Sequence, residues 1–167
     1  MDYVYKSCNT TMYPSLCYTS LSPYADSIQS EPKLLANASL FAALSATKSS
    51  SKFLKWLAKR KELTTREAHS IVDCIEEVGD SIDELKQSMH EITRDLEVGS
   101  SAFEFQMSDI QTWVSAALTD DDTCLDGLDE VKVNPRTKNL VRQHMVRVAQ
   151  LTSNALALVN NYAKSRA

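Results

Sequence analysis

The sequence predicts an all-α protein: an up-down-up-down four-helix bundle with an N-terminal helical hairpin extension and two disulfides. Three observations carry this. Only three Gly and four Pro occur in 167 residues otherwise rich in helix formers. From Ser30 onward, four segments each open with a helix-start signal and repeat apolar residues in steps of four and three. Cys74 and Cys124 are centred on Gly99, as two antiparallel helices hinged at that glycine require. A chain of this length suits one core, so residues 1–30 are read as an extension and 31–167 as the bundle of a single functional domain.

The extension contains Pro14 and Pro23, with Cys8 and Cys17 bracketing Tyr13-Pro14, so short helical turns are expected there rather than one helix. The first long segment, from about Glu31 to Glu62, draws its apolar content from Leu34, Leu35, Ala38, Phe41, Leu44, Phe53, Trp56 and Leu57, with a weak middle at Thr47–Ser51. The second opens with Thr64 and Glu67, a spacing that lets side chain and backbone cap each other. Its seam is Ile71, Ile75, Val78, Ile82, Leu85, Met89, Ile92 and Leu96. Gly99 stops it, and Ser101 with Glu104 offers a second capping box. Phe103, Met107, Ile110, Val114, Ala117, Cys124 and Leu128 form the third stripe, interrupted by Asp121, which needs a buried partner if it faces inward. The fourth segment begins with Asn134 as cap and Pro135 at the first helical position, and its stripe is Leu140, His144, Val148, Leu151, Ala155, Leu158 and Tyr162. Each segment of about thirty residues spans roughly 45 Å.

Cysteine placement tests this topology. Equal distance from the hinge sets Cys74 and Cys124 at one level of the bundle, within reach of a disulfide. Cys8 and Cys17 then pair by exclusion. Two disulfides and the sequons at Asn9 and Asn37 indicate a secreted chain carrying candidate glycosylation sites. No apolar run is long enough to span a membrane.

The formal charge of −4 disfavours nucleic acid as a partner. The chemistry of an enzyme is also missing. His69 and His90 would stand roughly 30 Å apart on one helix, His144 reads as a hydrogen-bonded structural residue, and no phosphate loop or metal-spaced cluster occurs. Asp120-Asp121-Asp122 fails the spacing of a calcium loop, because Leu125 stands where the turning glycine belongs, and reads as a surface feature. No catalytic residue, metal or cofactor is therefore expected. Lys48, Lys52, Lys55 and Lys59 make a basic stripe, a solvated face by default and a weak hold on acidic wall polysaccharide as the sharper alternative.

The C-x8-C pair at Cys8 and Cys17, the stretch D-C-x-E-x-x-x-D from Asp73 to Asp80, and the run T-W-V-S-A-A-L-T-D-D-D-T-C-L-D-G from Thr112 to Gly127 resemble the plant invertase and pectin methylesterase inhibitor family. Ser153–Leu158 extends the resemblance over nearly the whole chain. The Thr112–Gly127 run is similar to the methylesterase-inhibitor branch, with Val78 and Leu128 departing from the Tyr and Phe frequent in relatives. The resemblance implies a reversible one-to-one complex covering the substrate cleft of pectin methylesterase in the cell wall, or apoplast. The outer sides of the second and third segments are the expected contact face: Glu76, Asp80 and Asp83 on one, Gln111, Ser115, Thr119 and Asp122 on the other. So many carboxylates imply an affinity that varies with pH. An invertase inhibitor, the pro-region of a methylesterase and a helical lipid carrier are the alternatives. The chain is expected as a monomer or a hairpin-swapped dimer.

Overall fold

A computed structural model describes residues 2–165, and every element among them is helical. Helices α1 (Asp2–Cys8), α2 (Pro14–Leu21) and α3 (Ala25–Ile28) make the extension. Helices α4 (Pro32–Ala58), α5 (Thr65–Ile92), α6 (Ser101–Glu130) and α7 (Pro135–Ala163) make the bundle. Each long helix packs against its two neighbours in sequence order, and α4 closes the ring against α7. That is the up-down-up-down arrangement.

Both disulfides form as expected, Cys74 with Cys124 as the mirror about Gly99 requires, with Cα atoms 4.7 Å apart, and Cys8 with Cys17 by exclusion. The extension folds back on its own bundle. Val4, Cys8, Cys17, Leu21 and Ile28 share a buried cluster with Leu35 of α4 and Leu158 of α7. The Asn154 amide accepts from the Tyr13 N–H and donates to the Tyr13 carbonyl, at 3.2 and 3.1 Å. Gln29 and Ser30 take positive φ between the extension and α4.

The caps follow the sequence signals in part. Thr64 and Glu67 form the reciprocal box, and Asn134 accepts from the Arg136 N–H at 2.9 Å. At α6 the cap is Ser100, whose Oγ accepts from the Phe103 N–H, so the expected Ser101–Glu104 box is displaced by one residue. Gly99, at φ 87°, forms the turn just before that cap, which explains the shift. Glu67 also does more than close its own helix. Its Oε1 accepts from the Thr64 N–H and its Oε2 from the Asn134 N–H, tying the starts of α5 and α7 together. These backbone donors, Asn134 first, hold its carboxyl below the usual range. Glu67→Gln should cost about 2 kcal/mol in urea unfolding, because a neutral amide accepts through one atom only.

The core departs from the expected stripes in three places. On α5 the fully buried row is Ile71, Cys74, Val78, Ser81, Leu85, Ser88 and Ile92, while Ile75, Ile82 and Met89 pack at its margin. Ser81 and Ser88 have no exposed surface. On α7 the stripe begins at Val141 and Met145; Leu140 is exposed, and His144 is half-buried and stacks on Phe53 with ring centroids 4.0 Å apart. On α4, Leu34, Phe41 and Trp56 point outward, and the weak middle is instead buried: Thr47 returns its hydroxyl to the Ala43 carbonyl at 2.6 Å.

Candidate functional site

The contact candidates lie on α5 and α6, which are the two helices joined by the Cys74–Cys124 bridge. Glu76, Asp80, Asp83, Ser115, Thr119 and Asp122 all reach the surface. A groove of about 260 Å³ runs along the junction, lined by Asp73, Glu76, Glu77, Thr123 and Glu130 beside the disulfide. The four-residue step of a helix keeps Glu76 and Asp80 on one side of α5.

Gln111 behaves differently. It is half-buried, and its amide donates to Asn160 Oδ1 on α7 at 2.9 Å, so this end of the α6 row turns toward α7 rather than α5. The Thr119 hydroxyl donates to the Ser115 carbonyl and the Thr123 hydroxyl to the Thr119 carbonyl, leaving each hydroxyl free to accept from outside. Asn9 stands exposed just after α1. Asn37 is half-buried inside α4, and the Ser39 hydroxyl of its sequon is buried on the Ala36 carbonyl at 2.7 Å.

The acidic run is only in part the surface feature expected of it: Asp122 is exposed, but Asp120 is half-buried. Asp121 is fully buried with neither carboxylate oxygen hydrogen-bonded, and Asp120 and Glu84 each hold one buried oxygen without a partner. The Ser81 hydroxyl beside Asp121 points to the Ala117 carbonyl at 3.5 Å, and that of Thr152 to the Val148 carbonyl at 2.9 Å. Burial pushes the Asp121 carboxyl up to about 8, opposed by those hydroxyls and assisted by Asp120 and Asp122. Burial likewise pushes Glu84 up to about 8, reinforced by Asp120, Asp80 and Asp121. Glu77 is raised by burial and by Asp120, Asp80 and Asp73. A row of carboxyls thus lines the α5–α6 junction behind the exposed ones. The signal was available, because the mirror about Gly99 that pairs Cys74 with Cys124 also sets Glu77 opposite Asp120 and Asp121.

Among the described residues, no group of three or more His, Cys, Asp or Glu side chains is arranged to hold a metal. No helix among them is long and apolar enough to cross a membrane. The fold and this face define the class of the molecule as an all-helical, disulfide-crosslinked four-helix bundle with acidic and hydroxyl side chains exposed along α5 and α6. The model of the plant invertase/pectin methylesterase inhibitor family matches residues 2–158, and the chain belongs to that family. It is 50% identical over 166 residues to Pectinesterase inhibitor 10 of Arabidopsis thaliana, and 46% identical over 168 residues to Pectinesterase inhibitor 9 of the same plant. These alignments take in 99% of the chain in both cases, but 53% of the first relative and 82% of the second. The chain therefore spans about half the length of the first. In fold it is similar to the crystal structure of a mutant form of a pectin methylesterase inhibitor from Arabidopsis, with a TM-score of 0.71 at 20% identity, covering 92% of each chain.

Proposed function

We propose that this chain is a proteinaceous inhibitor of plant pectin methylesterase, not itself catalytic, that docks reversibly and one-to-one over the enzyme's substrate cleft outside the cell. The observation that carries the reading is the α5–α6 wall, where Glu76, Asp80, Asp83, Ser115, Thr119 and Asp122 reach the surface on helices locked by a buried disulfide. Family membership and two relatives named as pectinesterase inhibitors support the choice of target. A crosslinked pair loses little conformational entropy on docking, so polar contacts add directly to affinity. Asp122, whose carboxyl is raised by burial and by Asp126, makes that affinity vary with pH. Gln111, engaged by Asn160, contributes at the margin.

The chain works in this reading as a secreted monomer, its extension held by the Tyr13–Asn154 hydrogen bonds as part of one functional domain with the bundle. Asn9 is the better acceptor for a glycan, since Asn37 and its sequon serine are sequestered in α4.

The test is a pair of assays in which the purified chain is mixed with a plant pectin methylesterase and with an acid invertase. Methylesterase activity should fall and invertase activity should not; the reverse result would reassign the target. Asp80→Lys and Thr119→Lys should each weaken methylesterase inhibition by about tenfold or more, with an unchanged helical circular dichroism spectrum. Undiminished inhibition by both variants would move the contact face elsewhere.

A further inference from the structure

Four long helices leave three connections between them, and these differ in chemistry. Residues 93–100, between α5 and α6, hold one cation, Arg94, which pairs with Glu91 at 2.6 Å and whose carbonyl accepts from Gln106 Nε2 at 3.0 Å. Residues 131–134, between α6 and α7, hold only Lys132, beside Val133, which is buried in the core. Between α4 and α5 the chain reads Lys59-Arg60-Lys61-Glu62-Leu63-Thr64. Nowhere else in the sequence do two basic side chains stand next to each other.

The backbone of this connection is open. Lys59, Arg60, Lys61 and Glu62 are all exposed. Helix α4 stops at Ala58, and the Arg60 N–H closes its last turn on the Leu57 carbonyl at 3.0 Å. Among the described residues, Lys61, Glu62 and Leu63 take part in no backbone–backbone hydrogen bond. A protease holds its substrate as an extended strand paired through the main chain, so it needs amides and carbonyls that the fold leaves unclaimed. Lys59 and Lys61 make no ion pair of 4.0 Å or less among the described residues. Arg60 is engaged: its Nε and one terminal nitrogen donate to the two Glu62 carboxylate oxygens at 3.2 and 3.1 Å, and its guanidinium lies 5.0 Å from the Trp56 ring centre. Every member of that clasp is exposed, Trp56 at 54%, so water replaces it at little cost.

The two disulfides decide what a break in this loop does. Cys8–Cys17 lies wholly before it and Cys74–Cys124 wholly after it. A chain cut between Arg60 and Lys61 therefore becomes two pieces joined by packing alone: residues 1–60 with the extension and α4, and residues 61–167 with α5, α6 and α7. A cut after Arg94 leaves its pieces tied through Cys74–Cys124. Helix α4 supplies Leu35, Leu40, Leu44, Leu54 and Leu57 to three clusters of the core, so departure of the first piece opens the seam of the whole bundle. Once cut, the bundle is a two-part complex whose stability falls with dilution.

We propose that a serine endoprotease specific for paired basic residues cuts this chain between Arg60 and Lys61 and so switches the inhibitor off. Arg60 fills the primary pocket, where its planar fork pairs with a carboxylate as it pairs with Glu62 in the free chain, and Lys59 fills the neighbouring acidic subsite. The step is hydrolysis and consumes one water: the Arg60 carbonyl carbon ends as a carboxylate and the Lys61 nitrogen as an ammonium group. Glu62 is a brake, because it holds Arg60 against Trp56 until the protease offers a competing carboxylate. Adjacent cations on free main chain set this loop apart from Arg94 and Lys132, each of which stands alone. The cleavage site follows from the loop's own chemistry, whereas relief of inhibition by the cut rests on the proposed function.

The test is to incubate the purified native chain with a Lys-Arg-specific subtilisin-like endoprotease and to identify the products by non-reducing denaturing electrophoresis and mass spectrometry. The first products should be residues 1–60 and 61–167, and Lys59→Gln with Arg60→Gln should slow their appearance at least about tenfold. Glu62→Ala should hasten it about threefold. The melting temperature of the nicked protein should drop on dilution, and that of the intact chain should not. Inhibition of a pectin methylesterase should be lost when the nicked protein is diluted and kept in full by the uncut double variant. A native chain that resists the protease while the denatured chain is cut, a first cut elsewhere, or a cut that survives the double variant would each overturn the site. Indifference to Glu62→Ala would overturn the brake, and a nicked protein that melts and inhibits like the intact one at every dilution would overturn the switch. An intact chain that inhibits no methylesterase would sink the proposed function while leaving the mapped cleavage site in place.

Discussion

Replacing Cys74 and Cys124 together by alanine should lower the unfolding free energy by about 4 kcal/mol, and the melting temperature by about 8–16 °C. The bridge closes a sequence separation of 50 residues, so its loss restores to the unfolded chain the freedom of nearly the whole α5–α6 hairpin. In the native state both sulfurs lie in the cluster of Ile71, Val78, Leu128 and Met145, so two small voids add to the loss. Cys8–Cys17, with a separation of 9, should contribute less, about 2.7 kcal/mol by the same chain-entropy relation. Urea titrations of the two double variants check the order. A larger loss from the short loop would mean that docking of the extension, rather than restraint of the unfolded chain, dominates. Inhibition should follow the long bridge, because it fixes the spacing between Asp80 on α5 and Thr119 on α6.

The bundle was legible because its rules are local or symmetric. Thr64–Glu67 and Asn134–Pro135 each follow from backbone chemistry within four residues, and the cysteine mirror needs only antiparallel hinge geometry. The stop expected at Gly99 comes earlier: α5 ends at Ile92, and Gly99 turns the chain into α6 instead. What was not legible depends on which neighbour each flank meets. Ile71, Val78, Leu85 and Ile92 serve two overlapping heptad rows, one through Ile75, Ile82 and Met89, the other through Cys74, Ser81 and Ser88. Hydrophobicity favours the first, yet the second is buried, because serines let α6 approach closely around the disulfide and leave room for Asp121. The same ambiguity misplaced the start of the α7 stripe, where Val141 and Met145 rather than Leu140 and His144 meet the core. At the site, exposure of Glu76, Asp80 and Asp83 agrees with helical spacing, but the engagement of Gln111 by Asn160 needs the position of a fourth helix.

The protein should be most stable in acid, and Asp121→Asn should remove much of that dependence. Asp121 is fully buried without a hydrogen-bond partner, and its carboxyl is pushed up to about 8 by burial. The groups around it are Glu84 and Ser81 from α5, Asp120 and Asp122 from α6, and Thr152 from α7, so no cation is among the groups that set its charge. In the unfolded chain an aspartate is ionised above about pH 4. Between about pH 4 and pH 8 the native state therefore holds a proton that the unfolded state has released, and stability declines as pH rises through that window. Release of that proton across so wide a window bounds the loss on the order of 5 kcal/mol. Glu84, also raised to about 8 but nearer solvent, adds to the same slope in the same direction. The Asp121→Asn variant carries no titrating proton at that position, so only the contribution of Glu84 remains there. At pH 8 it should be about 3 kcal/mol more stable than the parent, melting about 6–12 °C higher, while near pH 4 the two should converge. Melting curves across this range decide the matter: a parent protein indifferent to pH, or a variant that keeps the parent's slope, would show Asp121 to be ionised in the fold. Acid thus protects the α5–α6 junction directly, by keeping neutral the buried carboxyls behind the proposed docking wall.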